Sequence, residues 1–146
     1  MESAEQFHNM KKKFSDKAKK ELRVYEAAVK DIVDITFDAY DRSDIIKASR
    51  VEPLEEVIDR LNDEIKKKHI KRLRKGKCTI ELGFVLSDLT TNFERVADHC
   101  SNIAVCLIQT QADGYEMHEY LDKLKEDEDP FFGQMFEEYC KEYLSL

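Results

Sequence analysis

Residues 86–106 read LSDLTTNFERVADHCSNIAVC, and the spacing of this stretch decides the fold. With its flanks it sets apolar side chains at Leu82, Leu86, Leu89, Phe93, Val96, Cys100, Ile103 and Leu107. The steps alternate between four and three, the a/d seam of a helix that packs against two neighbours in a bundle. At about 100° per residue, this seam leaves Glu94 and Asp98 one turn apart and nearly opposite it, facing outward. One helix is thus expected to carry a core stripe and, behind it, a pair of carboxylates followed by His99.

Working outward, the whole chain fits that reading. Its 146 residues suit one domain with a real core. Four Gly, two Pro, 38% charged and 42% hydrophobic residues suit long amphipathic helices, and no β-branched alternation announces a strand. The fold class is all-α. Cys78, Cys100, Cys106 and Cys140 form no C-x-x-C pair, and Cys100 lies on the seam as a small buried hydrophobe. With no signal peptide visible, a reducing cytosolic setting is expected. No apolar run approaches the roughly 18 residues of a membrane span.

Upstream, a helical apolar pattern runs from about Glu2 to Tyr40, and Asp41-Arg42-Ser43-Asp44 breaks it, with Ser43 placed as the next N-cap. The second helix reaches about Lys75 with Leu54, Ile58, Leu61 and Ile65 on its seam, and Pro53 kinks it or starts a fresh segment. Gly76 ends it, Thr79 caps the third helix, and that helix continues to about Gln111. Short turns between long helices imply an antiparallel up-down-up three-helix bundle over residues 1–112. Residues 113–146 form an acidic C-terminal extension with two short helices, one around His118 to Lys125 and one around Phe132 to Tyr143.

Charge is unevenly spread. Lysines load the start of the first helix (Lys11, Lys12, Lys13, Lys17, Lys19, Lys20) and the end of the second (Lys66, Lys67, Lys68, Lys71, Lys75, Lys77). In an up-down-up bundle these two places are one end of the molecule. Cations at the end of the second helix complement its dipole, whereas at the start of the first they oppose it. Two explanations stand: the acidic tail folds back, or this end faces an anionic surface such as the inner leaflet or nucleic acid. A net charge of −7 argues against a dedicated nucleic-acid binder.

Two carboxylate pairs at i,i+4 are candidate metal ligands: Glu55 with Asp59, and Glu94 with Asp98. Convergent hard oxygens suit Fe, Mn, Mg or Ca. The spacing alone is weak, because about six such pairs arise by chance at this acidity, and Asp34 with Asp38 is another. A solvated face is the plainer reading. His8, His69 and His118 stand alone as surface residues, and Phe14, Tyr25 and Phe93 are core packing. No G-x-S-x-G, P-loop or H-E-x-x-H is present, so an enzyme is not expected.

Glu94-Arg95-Val96-Ala97-Asp98-His99, continuing through Asn102-Ile103-Ala104, resembles the signature of PhoU-like domains, and Glu55-Glu56-Val57-Ile58-Asp59 is similar to a second copy of the motif. The resemblance covers roughly residues 5–110. It implies a regulatory three-helix bundle that binds a multinuclear metal cluster on Glu55, Asp59, Glu94 and Asp98, with His99 a further ligand and Arg95 and Asn102 in binding roles. Iron is the metal it implies first, with Zn, Mn, Mg and Ca open. Full-length PhoU-type regulators carry two bundles, and this chain has one plus a tail. The tail (GYEMHEYLDKLK, then FFGQMFEEYCKEYLSL) resembles the C-terminal cytoplasmic domain of bacterial sodium/phosphate cotransporters. That likeness implies a role in phosphate uptake, a transporter partner in the same or a neighbouring protein, and a basic end nearest the bilayer at the inner face of the membrane. Met1 would then lie inside a longer chain. A free-standing adaptor for a phosphate-signalling kinase or transporter, and a bundle with no metal role, are the rival readings. The acidic face also allows a homo-oligomer bridged by a shared cluster.

Overall fold

In a computed structural model, which describes residues 14–111 and 130–145, the first helix starts immediately after Ser15. Ser15 is extended, and its hydroxyl oxygen accepts from the Ala18 backbone N–H at 3.2 Å, while Asp16 sets a negative charge in the first turn. Helix α1 therefore spans Asp16–Arg42. The expected helical run from Glu2 is interrupted at this cap, and its part before residue 14 lies outside the described residues.

Ser43 does not cap the second helix; it closes the first. It sits in the left-handed region at φ 51°, its N–H donates to Tyr40, and the Asp44 N–H donates to Ala39. These crossed bonds satisfy the last carbonyls of α1. Asp44, with an extended backbone, is the actual cap, accepting from the Lys47 N–H at 3.1 Å to start the single-turn α2 (Ile45–Ala48). Helix α3 follows over Val51–Arg74 with Pro53 in its first turn, where a missing N–H has no helical partner to lose. Pro53 thus starts a fresh segment. At the other end Gly76 adopts φ +68°, its N–H donates to Leu73, and the Lys77 N–H donates to Arg72. Thr79 then caps α4 (Ile80–Gln111) by accepting from the Leu82 N–H at 3.3 Å.

The side-chain pairs fix the topology. Arg72 donates two hydrogen bonds, 3.0 and 2.9 Å, to the Glu21 carboxylate, which joins the end of α3 to the start of α1. Asn62 meets Glu94 and Ser101 meets Glu52, so α4 runs antiparallel to α3. Tyr25 stacks edge-on against Phe93 with ring centroids 5.0 Å apart. The result is an up-down-up bundle around Tyr25, Ile32, Leu54, Ile58, Leu61, Ile65, Leu86 and Cys100, all buried in one cluster. Each such side chain contributes about 1.5–3 kcal/mol by leaving water.

A fourth long element, α5 (Pro130–Tyr143), lies along α3 and touches α1. Tyr139 and Tyr143 are buried in the same core cluster, the Tyr143 hydroxyl donates to Asp31 at 2.9 Å, and the Arg60 guanidinium covers the Phe136 ring at 4.6 Å. The helix expected around Phe132 to Tyr143 is this one. The helix expected around His118 to Lys125 lies outside the described residues. Among the described residues, no helix is long and apolar enough to cross a membrane.

Helix α4 departs from its expected seam in the second half. Val96 and Ile103 are 37% and 42% exposed, whereas Ala97, Cys100, Ser101, Ala104, Val105 and Ile108 are buried. A strict seven-residue repeat drifts by about 20° per heptad on a straight helix, so a seam read over four heptads turns away from the core. Small side chains at 97, 101 and 104 take over and let α3 approach. In this half the core face is rotated by roughly 100° from the expected seam, towards the side that carries Glu94 and Asp98.

Candidate metal centre

That rotation changes what the carboxylates face. Glu94 and Asp98 flank the contact with α3 rather than standing opposite the core. On α3, Glu52, Glu55 (with Glu56 beside it), Asp59 and Asp63 recur every three or four residues, forming a stripe along the helix. Glu55 was expected on the surface and is 8% exposed; Glu52 is 9% exposed and Asp59 half-buried. The reason is crowding: α3 has α1, α4 and α5 around it, so it buries more than one stripe.

One carboxylate oxygen from each of Glu55, Glu56 and Asp59 can be enclosed within 4.8 Å. Burial, then the neighbouring charges of Asp59, Glu52 and Asp98, push the Glu55 carboxyl up to about 9. Asp59 is pushed up to about 6, chiefly by burial, with Glu94 and Asp98 adding to it and a hydrogen bond from Glu55 opposing it. The charges of Glu94 and Asp98 on α4 thus reach across to α3, although Asp98 itself is exposed and, among the described residues, the close grouping of oxygens is made by Glu55, Glu56 and Asp59 alone. Lys66 approaches the Glu94 carboxylate at 4.0 Å.

The contrast with Asp34 and Asp38 separates this cluster from a solvated face. Asp38 is bracketed by Lys47 and by Arg42 at 3.2 Å, and the Lys47 hydrogen bond holds its carboxyl below the usual range. Electrostatics there is satisfied by the protein itself. On the α3–α4 face, carboxylates of one sign repel and burial makes the repulsion stronger.

Sequence spacing missed several contributors. The Ser101 hydroxyl donates to Glu52 at 2.5 Å, and Asn62 donates to Glu94 at 3.3 Å while its own side-chain oxygen is buried with no partner. Tyr25 is core, as expected, yet its phenol is held firmly protonated by burial and by Glu94, Asp59, Asp63 and Asp98 nearby. The acidic period continuing through Glu52 and Asp63 was the available signal. His99, Arg95 and Asn102 are exposed, and among the described residues no hydrogen bond or ion pair joins them to the cluster. His69, expected at the surface, is buried at the α3–α4 turn, 3.6 Å from the Cys78 sulfur. His8 and His118 lie outside the described residues.

The described residues form an all-α antiparallel bundle with acidic side chains on two adjacent helices. The chain belongs to the PhoU domain family, whose model matches residues 22–107. It is 29% identical over 102 residues to the phosphate-specific transport system accessory protein PhoU homolog 1 of Thermotoga maritima. That match takes in 70% of this chain and 44% of the relative, so the chain spans less than half of the relative's length. No solved structure matches the chain.

Proposed function

We propose that this chain is a regulatory, metal-binding PhoU domain that acts in phosphate transport. The observation that carries the metal role is on α3, where Glu55 is buried and a carboxylate oxygen from each of Glu55, Glu56 and Asp59 lies within 4.8 Å of the others. A multivalent cation removes the repulsion and accepts these hard oxygens. The donor set fits such an ion: Glu55, Glu56 and Asp59 from α3, with Glu94 and Asp98 from α4, and no soft ligand among them. The resemblance favours a multinuclear iron cluster, and carboxylate oxygens also suit Zn, Mn, Mg or Ca.

The relative's name ties that protein to a phosphate-specific transport system. By extension, this domain regulates a transporter without itself doing chemistry. Its partner is a membrane transporter, either a sodium/phosphate cotransporter part of the same protein or a neighbouring one, which sets the domain at the cytoplasmic face of the membrane. A shared cluster between acidic faces would make it a homo-oligomer. Phosphate uptake in cells carrying Glu94→Ala with Asp98→Ala tests the role. Altered repression or rate of uptake is expected, and wild-type uptake at every phosphate level would contradict it. Immunoblotting of fractionated cells separates the attachments: a band in the membrane pellet supports the transporter-bound reading, and a band in the supernatant supports a free adaptor.

A further inference from the structure

At the opposite, turn-bearing end of α3 lies a cavity of about 600 Å³ lined by Lys17, Lys20, Lys68, Lys71, Arg72, Lys75 and Lys77, with Ser15, Asp16 and Glu21. The Glu21–Arg72 pair is nearly buried, so it forms a neutral, rigid member of the wall and fixes α1 against α3. Among the described residues, Lys17, Lys20, Lys71, Lys75 and Lys77 have no carboxylate partner. Lys68, Lys71 and Lys75 share one face of α3, and Lys17 and Lys20 are one turn apart on α1. The start of α1 adds the positive end of its dipole to the same space.

Helix-dipole compensation accounts for the lysines on α3 and fails for those on α1, where cations oppose the dipole. Concentrating them across a cavity from the α3 lysines is unfavourable unless an anion sits between. We infer that this cavity binds a compact anion carrying two or more linked phosphate groups. Lysine supplies mobile point charges that suit a multivalent phosphate, and the planar fork of Arg72, which would otherwise serve a carboxylate or a phosphate, is already taken by Glu21. The cavity also exceeds what one phosphate needs. The inference is independent of the metal role of the α3–α4 face.

A free oligophosphate and a phospholipid headgroup share this chemistry, and Ile80 and Phe84, both exposed at this end of the bundle, make the headgroup a real source. Isothermal titration of the full chain with sodium tripolyphosphate, with EDTA present so that no metal bridges, is the test. Saturable binding is expected, weakened at least about tenfold in Lys20→Gln/Lys71→Gln/Lys75→Gln and unchanged in Lys30→Gln/Lys67→Gln, whose lysines lie outside the cavity. Vesicles of phosphatidylcholine containing cardiolipin separate the sources. Vesicle binding that tripolyphosphate displaces assigns a headgroup; tripolyphosphate binding without vesicle binding assigns a free anion. Binding to neither, or equal loss in both sets of variants, overturns the inference.

Discussion

Glu55 and Asp59 stand one turn apart on α3, with a carboxylate oxygen of each within 4.8 Å of the other's. In the metal-free protein, burial first and then the charges of Asp59, Glu52 and Asp98 push the Glu55 carboxyl from an ordinary 4.5 up to about 9, so folding favours its protonated form. The folded state then binds more protons than the unfolded chain between those two values. Stability is fully present below the unfolded value and declines as pH rises towards the folded one.

In chelator-treated protein, the melting temperature is therefore expected to fall from pH 5 to pH 8. Glu55→Gln, which keeps the shape and cannot ionise, should flatten this slope and stabilise the metal-free form at pH 8 by on the order of 2 kcal/mol. Added metal should reverse the trend, because ligation needs the deprotonated carboxylates and gains as pH rises. Calorimetric melts across pH, with and without metal, check both signs.

The Glu21–Arg72 pair should behave as a buried ion pair. Arg72→Met strands the Glu21 carboxylate, which is 8% exposed, and is expected to cost about 3 kcal/mol. Glu21→Leu combined with Arg72→Met should recover most of that loss, since removing both charges leaves apolar packing. Urea unfolding of the two single variants and the double variant measures the coupling.

Two glycines at the α3–α4 turn should fail for different reasons. Gly76 has open space around it, so Gly76→Ala carries only the cost of a left-handed backbone, about 1 kcal/mol. At Gly83 an added Cβ would meet the His69 ring nitrogen at 2.9 Å, and His69 is buried. Gly83→Ala should cost about 1–3 kcal/mol by overpacking. Adding His69→Ala should remove the clash, so the double variant loses less than the sum of the two single changes.

Helix α5 should be part of the cooperative fold. Tyr143→Phe removes the hydrogen bond to Asp31 and strands no buried donor, so about 1 kcal/mol is expected. Thermal melts followed by helical circular dichroism and by tyrosine absorbance should coincide in the wild type, which an undocked tail would not give.

The caps at Thr79 and Gly76 and the fresh start at Pro53 were legible because each depends on local backbone chemistry. Ser43 was misassigned because serine caps and serine left-handed closures look alike until the next residue is weighed: Asp44 is the better acceptor. The α4 seam was legible as far as Phe93. Beyond it, periodicity alone could not show that small residues would bring α3 close and turn the helix face. The same limit hid the burial of Glu55, which follows from several helices packing around α3 and has no signature within residues 51–74. Glu55, Asp59, Glu94 and Asp98 were singled out by spacing and resemblance together. The Ser101–Glu52 and Asn62–Glu94 hydrogen bonds have no such signal, because they are contacts across helices.

The most direct test of the metal-binding face is elemental analysis of the chain purified without chelators and then reconstituted with Fe, Mn, Zn, Mg or Ca. The wild type is expected to retain at least one ion per chain through gel filtration. Glu55→Gln/Asp59→Asn/Asp98→Asn, folded by circular dichroism, should retain almost none. A folded wild type that holds no metal, or a triple variant that holds as much as the wild type, would contradict the account.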